Sequence, residues 1–212
     1  AEKYFAREFL YGTPTQDYPD NAERFVFFCR AALEILGAQP VDIVHAHDWQ
    51  AALAIVFLKT QAVRYHAAAG AKTVCTIHNL AFQGQFGLPE WHLLNLDSGF
   101  FTPPVLELYG NINFLKGALV MADKITTVSP TYAREIMTLE QGFGLEGLLR
   151  QRADDLVGIM NGVDYGQWNP WTDPLISHRY GENSLTDKRN CKRSLRRQVG
   201  LPDQANTPIV AM

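Results

Sequence analysis

Two short stretches concentrate the side chains able to do chemistry: His45-Ala-His-Asp-Trp-Gln50 and Thr76-Ile-His-Asn-Leu-Ala-Phe-Gln-Gly84. Imidazole can ligate a metal or exchange a proton near neutrality, a carboxylate can stabilise positive charge, and an amide can bond a hydroxyl. At strand spacing His45 and His47 project to one face. Joined by His78 from a neighbouring strand, they make the three-histidine set of a metal-dependent hydrolase. No compact His or carboxylate supplement lies nearby in sequence. The competing expectation is a pair of core histidines bonded to backbone, and His45 suits it better. Asp48 has two evenly matched roles: it caps a helix beginning at Trp49, or it aims into a cleft beyond a strand end.

Further candidates lie along the chain. His78 and Asn79 precede a long, Gly-rich stretch, which favours a ligand-facing role. Asn161-Gly-Val-Asp164 reads locally as a turn, although Asn161 at a strand end could also donate to sugar hydroxyls. Trp168 and Trp171, set among prolines, read as packing anchors. Lys192, Arg193, Arg196 and Arg197 read as a solvated helix face. No glycine-rich phosphate loop of the P-loop or dinucleotide type is present.

The elements that must hold these residues alternate between strand and helix. A helix is expected over 21–36, with Phe25, Val26, Phe28, Ala32, Leu33 and Leu36 on its apolar side and Gly37 as C-cap. Strands are expected at 41–44, 72–77, 124–128 and 156–160, with a last one from Ile209. Helices are expected at 50–63, 114–121, 131–138, 145–151 and 185–199, the one over 131–138 being opened by Ser129 as N-cap and Pro130 as N1. Residues 1–20 read as loop or edge, and 79–111 as a functional loop with small helical pieces. The alternation argues a parallel α/β sheet with helices on both faces.

The 212 residues allow one large domain, or one domain and part of another. A net charge of −3 provides no general field to attract nucleic acid or an anionic membrane. The longest apolar run is far short of a membrane span. Three scattered cysteines, Cys29, Cys75 and Cys191, argue against a disulfide framework and suit a reducing compartment. The first residue is Ala1 and the last segment reads as an interrupted strand, so a fragment of a longer protein is expected.

Taken in order, Asp17-Tyr-Pro-Asp-Asn-Ala-Glu-Arg-Phe25, Asp42-Ile-Val-His-Ala-His-Asp-Trp-Gln50, Thr76 to Gly84, Ile125-Thr-Thr-Val-Ser-Pro-Thr-Tyr-Ala-Arg-Glu-Ile136, Met160-Asn-Gly-Val-Asp164 and Trp168-Asn-Pro170 resemble bacterial glycogen synthase and plant or cyanobacterial starch synthase. Any one of these motifs is shared with other retaining glycosyltransferases; the ordered set is specific. The resemblance implies a GT-B architecture of two Rossmann-like domains facing across a cleft. Residues 1–180 would be part of the N-terminal, acceptor-side domain, 181–206 an interdomain connection, and 207–212 the start of the C-terminal nucleotide-binding domain. It also implies transfer of glucose from ADP-glucose to the non-reducing 4-hydroxyl of an α-1,4-glucan, with retention and without a metal or other cofactor. The compartment implied is bacterial cytoplasm or plastid.

Carried over by motif, His78 would lie against the donor glucose and Asp48 would orient hydroxyls near the reacting centre. Asn161 would contact the donor sugar, and Asn79, Trp49 and Tyr11 would line the glucan side. An oxocarbenium-like transition state is electron-poor, so preorganised acceptors near the anomeric carbon are worth on the order of 2.7–4 kcal/mol each by analogy with oxyanion-hole donors. The pattern departs from the family in two ways. Gln50 stands where some members have His, so an amide replaces an imidazole there. The family's Lys-Thr-Gly-Gly loop, and the Arg, Lys and Glu of its second domain, are not in these residues, so this stretch alone is expected not to turn over. A non-catalytic glucan-binding module descended from a synthase is the rival outside enzymology.

Overall fold

The apolar runs around the two motifs become adjacent parallel strands. The computed structural model describes residues 2–36 and 40–210. The elements are α1 (Glu2–Phe5), α2 (Asn21–Leu36), β1 (Ile43–His47), α3 (Asp48–Thr60), β2 (Lys72–Ile77), β3 (Gln85–Phe86), α4 (Trp91–Leu94), β4 (Glu107–Leu108), β5 (Asn111–Asn113), α5 (Phe114–Met121), β6 (Lys124–Thr127), α6 (Pro130–Glu135), α7 (Glu146–Gln151), β7 (Leu156–Gly158) and α8 (Leu185–Gln198). Strands β1, β2, β6 and β7 pair in that order, all parallel; β3, β5 and β4 form a small antiparallel sheet. The chain divides into two units, 1–161 and 162–212.

In the first unit each strand is added on the same side of the last. Right-handed crossovers therefore place the connecting helices on a single face. Val44, Ala46, Thr73, Cys75, Ile77, Ile125 and Thr127 point to that face and are buried. Helix α3 is central there, packed against α2, α5, β1 and β2. Its Leu53, Ile55, Val56 and Phe57 are fully buried, as expected of a helix apolar nearly all round. Truncating Leu53 to Ala there removes about 2–5 kcal/mol. Gly117 lets α5 approach α3: a Cβ on it would lie 2.5 Å from Leu106 and 2.9 Å from Val56.

The opposite face carries Ile43, His45 and His47, Lys72, Val74 and Thr76, Lys124 and Thr126, and Val157. Ile43 is 61 % exposed and Val157 50 %. The sequence argues for helices on both faces; among the described residues they cover one, because every crossover runs in the same direction.

Several boundaries move. The first strand starts later than 41 and includes both histidines, so only Asp48 lies beyond its end. Helix α3 begins at Asp48 and ends at Thr60, short of Val63. The strand at 72–77 and the helix at 114–121 match their expected spans. Helix α6 is shorter than expected, yet Ser129 Oγ accepts from Tyr132 N at 2.8 Å and Pro130 takes the first helical position. The 79–111 stretch holds strands as well as helical turns, because β3 and β4 both pair with β5. Residues 1–20 include the short helix α1 and a bridge between Gly12 and Asp17. On α2, Phe28 is exposed and Arg24 is buried instead. The Arg24 guanidinium donates to Tyr4 O, Leu10 O and Asn21 Oδ1, tying the first twenty residues to the helix. The expected cap at Gly37 lies outside the described residues.

In the second unit, α8 follows a 3₁₀ turn at Glu182–Ser184. Arg196 is buried and donates to the Pro202 and Thr207 carbonyls, so it is not part of a solvated face. Trp168 is 69 % exposed, contrary to a packing role, whereas Trp171, 63 % exposed, rests one edge of its indole over Gly181, where a Cβ would lie 2.8 Å from Cε3. The hydrogen-bonded turn falls not at 161–164 but just after, where Asp164 O accepts from Gln167 and Trp168. Ile209 and Val210 carry no strand pairing, and 211–212 lie outside the described residues.

Candidate functional site

The carboxyl ends of β1 and β2 meet over a cavity of about 500 Å³, a size ordinary for small-ligand clefts. Its wall comprises Tyr11, Asp17, Asn21, Asp48, Trp49, Gln50, Asn79 and the 81–86 segment. Four of the six residues singled out by sequence, Tyr11, Asp48, Trp49 and Asn79, are thus brought together. His78 lies outside the wall but is joined to it by Asp48. Asn161 is exposed, three residues past β7, and does not line the cavity.

Asp48 occupies the junction between β1 and α3 with φ of 55°. A left-handed backbone is uncommon outside glycine, and Asp tolerates it better than most residues. The helix takes His47 as its N-cap, without a side-chain bond, so Asp48 is not the cap. Its Oδ1 instead accepts from the backbone N–H of His78 at 2.8 Å, linking the two strand ends. Oδ2 has no hydrogen-bond partner among the described residues and is left for a ligand.

The remaining wall residues divide by whether their polar atoms are already committed. Gln83 is buried and saturated: Nε2 donates to Leu80 O and Phe143 O, and Oε1 accepts from Asn113 Nδ2 and Gln85 Nε2. Asn21 donates to Tyr11 O and accepts from Arg24. These two shape the wall. Asn79 Oδ1 accepts from Ala81 N at 3.0 Å, leaving its Nδ2 hydrogens free. The side chains of Asp17 and Gln50 and the Tyr11 hydroxyl make no hydrogen bond to described residues and can meet a ligand. Trp49 is wedged by aromatic neighbours, with Phe25 at 4.7 Å and Phe86 at 5.8 Å between ring centroids. Gly84, at φ 63°, lies under the same indole, where a Cβ would sit 2.5 Å from Trp49 Cε3.

Asp17, Asn21, Gln83 and Gln85 are not singled out by the sequence, although Asp17, Asn21 and Gln83 lie inside the quoted motifs. A short amide or acid in a loop carries no periodic signal; only the fold shows which cavity it reaches.

The wall has two carboxylates, several amides and aromatic surface, and no Lys or Arg. Such a lining suits a neutral, hydroxyl-rich ligand and offers nothing to bind a diphosphate.

The three histidines form a row on the opposite face of the sheet from the helices. His45 and His47 rings stack at 4.2 Å, and His47 and His78 rings are 5.2 Å apart. His45 Nε2 bonds Thr76 Oγ1 at 2.6 Å, which in turn bonds Thr126 Oγ1 at 2.6 Å. His45 is therefore neither a core residue nor backbone-bonded. Partial burial, then the nearby His47 and His78, push its pKa below the ordinary imidazole value. His47 Nδ1 and His78 Nε2 face each other at 2.9 Å. These nitrogens are spent on Thr76 and on each other rather than converging on a common centre, and no group of three metal-ligating side chains is present among the described residues. The metal-hydrolase expectation has no support in this arrangement.

The fold, with its cavity at the carboxyl ends of parallel strands, is that of a Rossmann-like domain of the GT-B glycosyltransferase class. The family described as starch synthase catalytic domain matches residues 1–151, and the chain belongs to it. Glycogen synthase 2 of Geobacter sulfurreducens is 47 % identical over 99 % of this chain and 44 % of its own length. Glycogen synthase of Koribacter versatilis is 50 % identical over 99 % of this chain and 43 % of its own. The catalytic domain of starch synthase IV from Arabidopsis thaliana, solved bound to ADP and acarbose, superimposes with a TM-score of 0.74 at 34 % identity, over 89 % of this chain and 39 % of that one. The chain thus spans less than half the length of these relatives. Among the described residues no helix is long and apolar enough to cross a membrane.

Proposed function

We propose that the full-length protein is a retaining glucosyltransferase that moves glucose from ADP-glucose to the non-reducing 4-hydroxyl of an α-1,4-glucan, making glycogen or starch. The observation that carries this reading is the cation-free, carboxylate- and amide-lined cavity at the strand ends of a starch synthase family member. The acarbose and ADP held by the Arabidopsis relative are the same two chemistries, an oligosaccharide mimic and a nucleotide. In this reading the cavity receives the sugar side. Asp48 Oδ2 accepts a sugar hydroxyl and opposes the positive charge that develops at the anomeric carbon. The hydrogen bond that the His78 backbone N–H donates to Asp48 Oδ1 fixes both groups before substrate arrives, so neither has to reorganise during the reaction. His78 lies against the donor glucose, Asn79 Nδ2 donates to a hydroxyl, and Trp49 and Tyr11 provide apolar surface for the glucan. Asn161 meets the donor sugar from the end of β7.

Because the cavity wall lacks a cation, the diphosphate must be held elsewhere. We assign that task to a C-terminal GT-B domain of the same chain, reached through residues 181–206 and entered from residue 207. No metal or other cofactor, nucleic acid or membrane enters the scheme, and the reducing compartment is bacterial cytoplasm or plastid.

The test is glucosyl incorporation into glycogen by the full-length protein, with ADP-glucose and UDP-glucose compared. Activity with ADP-glucose is expected, and Asp48→Ala and His78→Ala each lower kcat on the order of 100–1,000-fold. A full-length protein that binds maltooligosaccharide but releases no nucleotide from either donor is a glucan-binding module, and the reading fails. Turnover unaffected by His78→Ala removes that residue from the site.

A further inference from the structure

We propose that His47 is a positioning residue for His78, and that with His78 Nε2 held by His47 only Nδ1 of the His78 ring is left to meet substrate. The proposal deepens the glucosyltransferase reading and rests on it. Two anchors meet on His78, and a third holds His47 from behind. Its backbone N–H is bound by Asp48 Oδ1 at 2.8 Å. Its Nε2 faces His47 Nδ1 at 2.9 Å. Behind His47, the His45 ring stacks at 4.2 Å and is itself pinned by the Thr76 and Thr126 hydroxyls. The row therefore runs across three strands, from β6 through β2 and β1 to the residue just past the end of β2.

A nitrogen-to-nitrogen hydrogen bond needs one proton between the rings. Either His78 is protonated on Nε2 and His47 accepts, or His47 is protonated on Nδ1 and donates to His78. Each arrangement fixes one tautomer on both rings. A proton on both facing nitrogens breaks the contact. The titratable groups beside the pair are His45, stacked on His47, and Asp48, bonded to the His78 amide. An imidazole with one nitrogen and its amide already bound presents its remaining nitrogen in a single direction, which is what a group pressed against a sugar ring requires.

The experiment uses full-length protein and two substitutions. His47→Phe keeps the stacking on His45 and removes the nitrogen. His47→Asn keeps a polar atom near the Nδ1 position. His47→Phe is expected to lower kcat on the order of 10–100-fold, the range for an orienting partner behind a working imidazole, with KM for donor and glucan unchanged. His47→Asn restores most of the loss. In a His78→Ala background, His47→Phe costs nothing further, because the two act as one unit. Wild-type turnover by His47→Phe, an equal loss with and without His78, or an Asn variant as slow as the Phe variant each overturns the proposal. Imidazole ¹⁵N spectra of the unsubstituted protein read the pair independently of activity and of any variant's folding. A single tautomer at each ring is expected; averaged tautomers at His78 overturn the coupling. A protein without glucosyl transfer defeats the functional reading instead, and the spectra still report on the pair.

Discussion

Gly84 shows how narrowly the cavity wall is drawn. Its φ of 63° and the 2.5 Å separation between a built Cβ and the Trp49 ring act together. A left-handed conformation costs an L-residue roughly 1–2 kcal/mol, and forcing a methyl against a packed indole adds about 1–3 kcal/mol. Gly84→Ala is thus expected to lower stability by about 2–5 kcal/mol in urea unfolding and to displace Trp49 from the cavity. A variant as stable as the parent would mean that the indole has room to move. The same residue is partly legible in sequence: a glycine closing Asn79-Leu-Ala-Phe-Gln-Gly84 marks a turn. That the turn presses on Trp49, 35 positions upstream, is a tertiary fact. Asp48 is similar. Its type and its place past a strand were readable, but the choice between helix cap and interstrand link was not. That choice depended on the left-handed backbone and on where the His78 amide came to rest.

At the scale of elements, Asp123 joins three of them. It follows α5, pairs with Lys59 of α3 at 2.8 Å, and accepts from Thr73 N and Oγ1 of β2 at 2.8 and 2.7 Å. The Lys59 ammonium and the Thr73 hydroxyl hold its carboxyl far below the usual aspartate range, against the opposing effect of partial burial. A depressed pKa in the folded state makes the stabilisation complete above the unfolded value of about 3.9 and diminishing below it, until the folded carboxylate also protonates. Asp123→Asn should cost about 1–3 kcal/mol at pH 7. The difference in unfolding free energy between the two proteins should narrow as pH falls below about 4. A gap that stays constant to pH 2.5 would show that the charge contributes nothing. The strand at 72–77 is legible from its β-branched residues, Thr73, Val74, Thr76 and Ile77, and the helix at 114–121 from Phe114, Leu115, Ala118 and Leu119 at helical spacing, with Lys116 the one charge inside it. β1 was placed too early because His45 and His47 look polar, yet both sit on the open face of an edge strand, where polarity is allowed.

Across the whole molecule the thiols report on the two units separately. Cys29 and Cys75 are buried in the first unit, and burial pushes both thiols up to about 12. Cys191 of the second unit is half-buried, its thiol bonded to His178 O at 2.9 Å. A thiol is reactive only as thiolate, so native protein at pH 8 should label at Cys191 alone, with Cys29 and Cys75 labelled after denaturation. Rapid native labelling of Cys75 would contradict the packing of β2 against the helices.

The order of apolar strands and helices, together with the two strand-end motifs, is enough to define the α/β class and to point to Asp48, His78 and Asn79, because local periodicity and residue type are properties of neighbouring positions; Trp49 and Tyr11 enter only through the family resemblance. The sequence could not decide that the helices of the first unit share one face, that Gln83 is spent on the wall, or that His47 faces His78 across 2.9 Å. Those depend on crossover direction and on which distant atoms meet, and neither has a local signal for a linear reading to find.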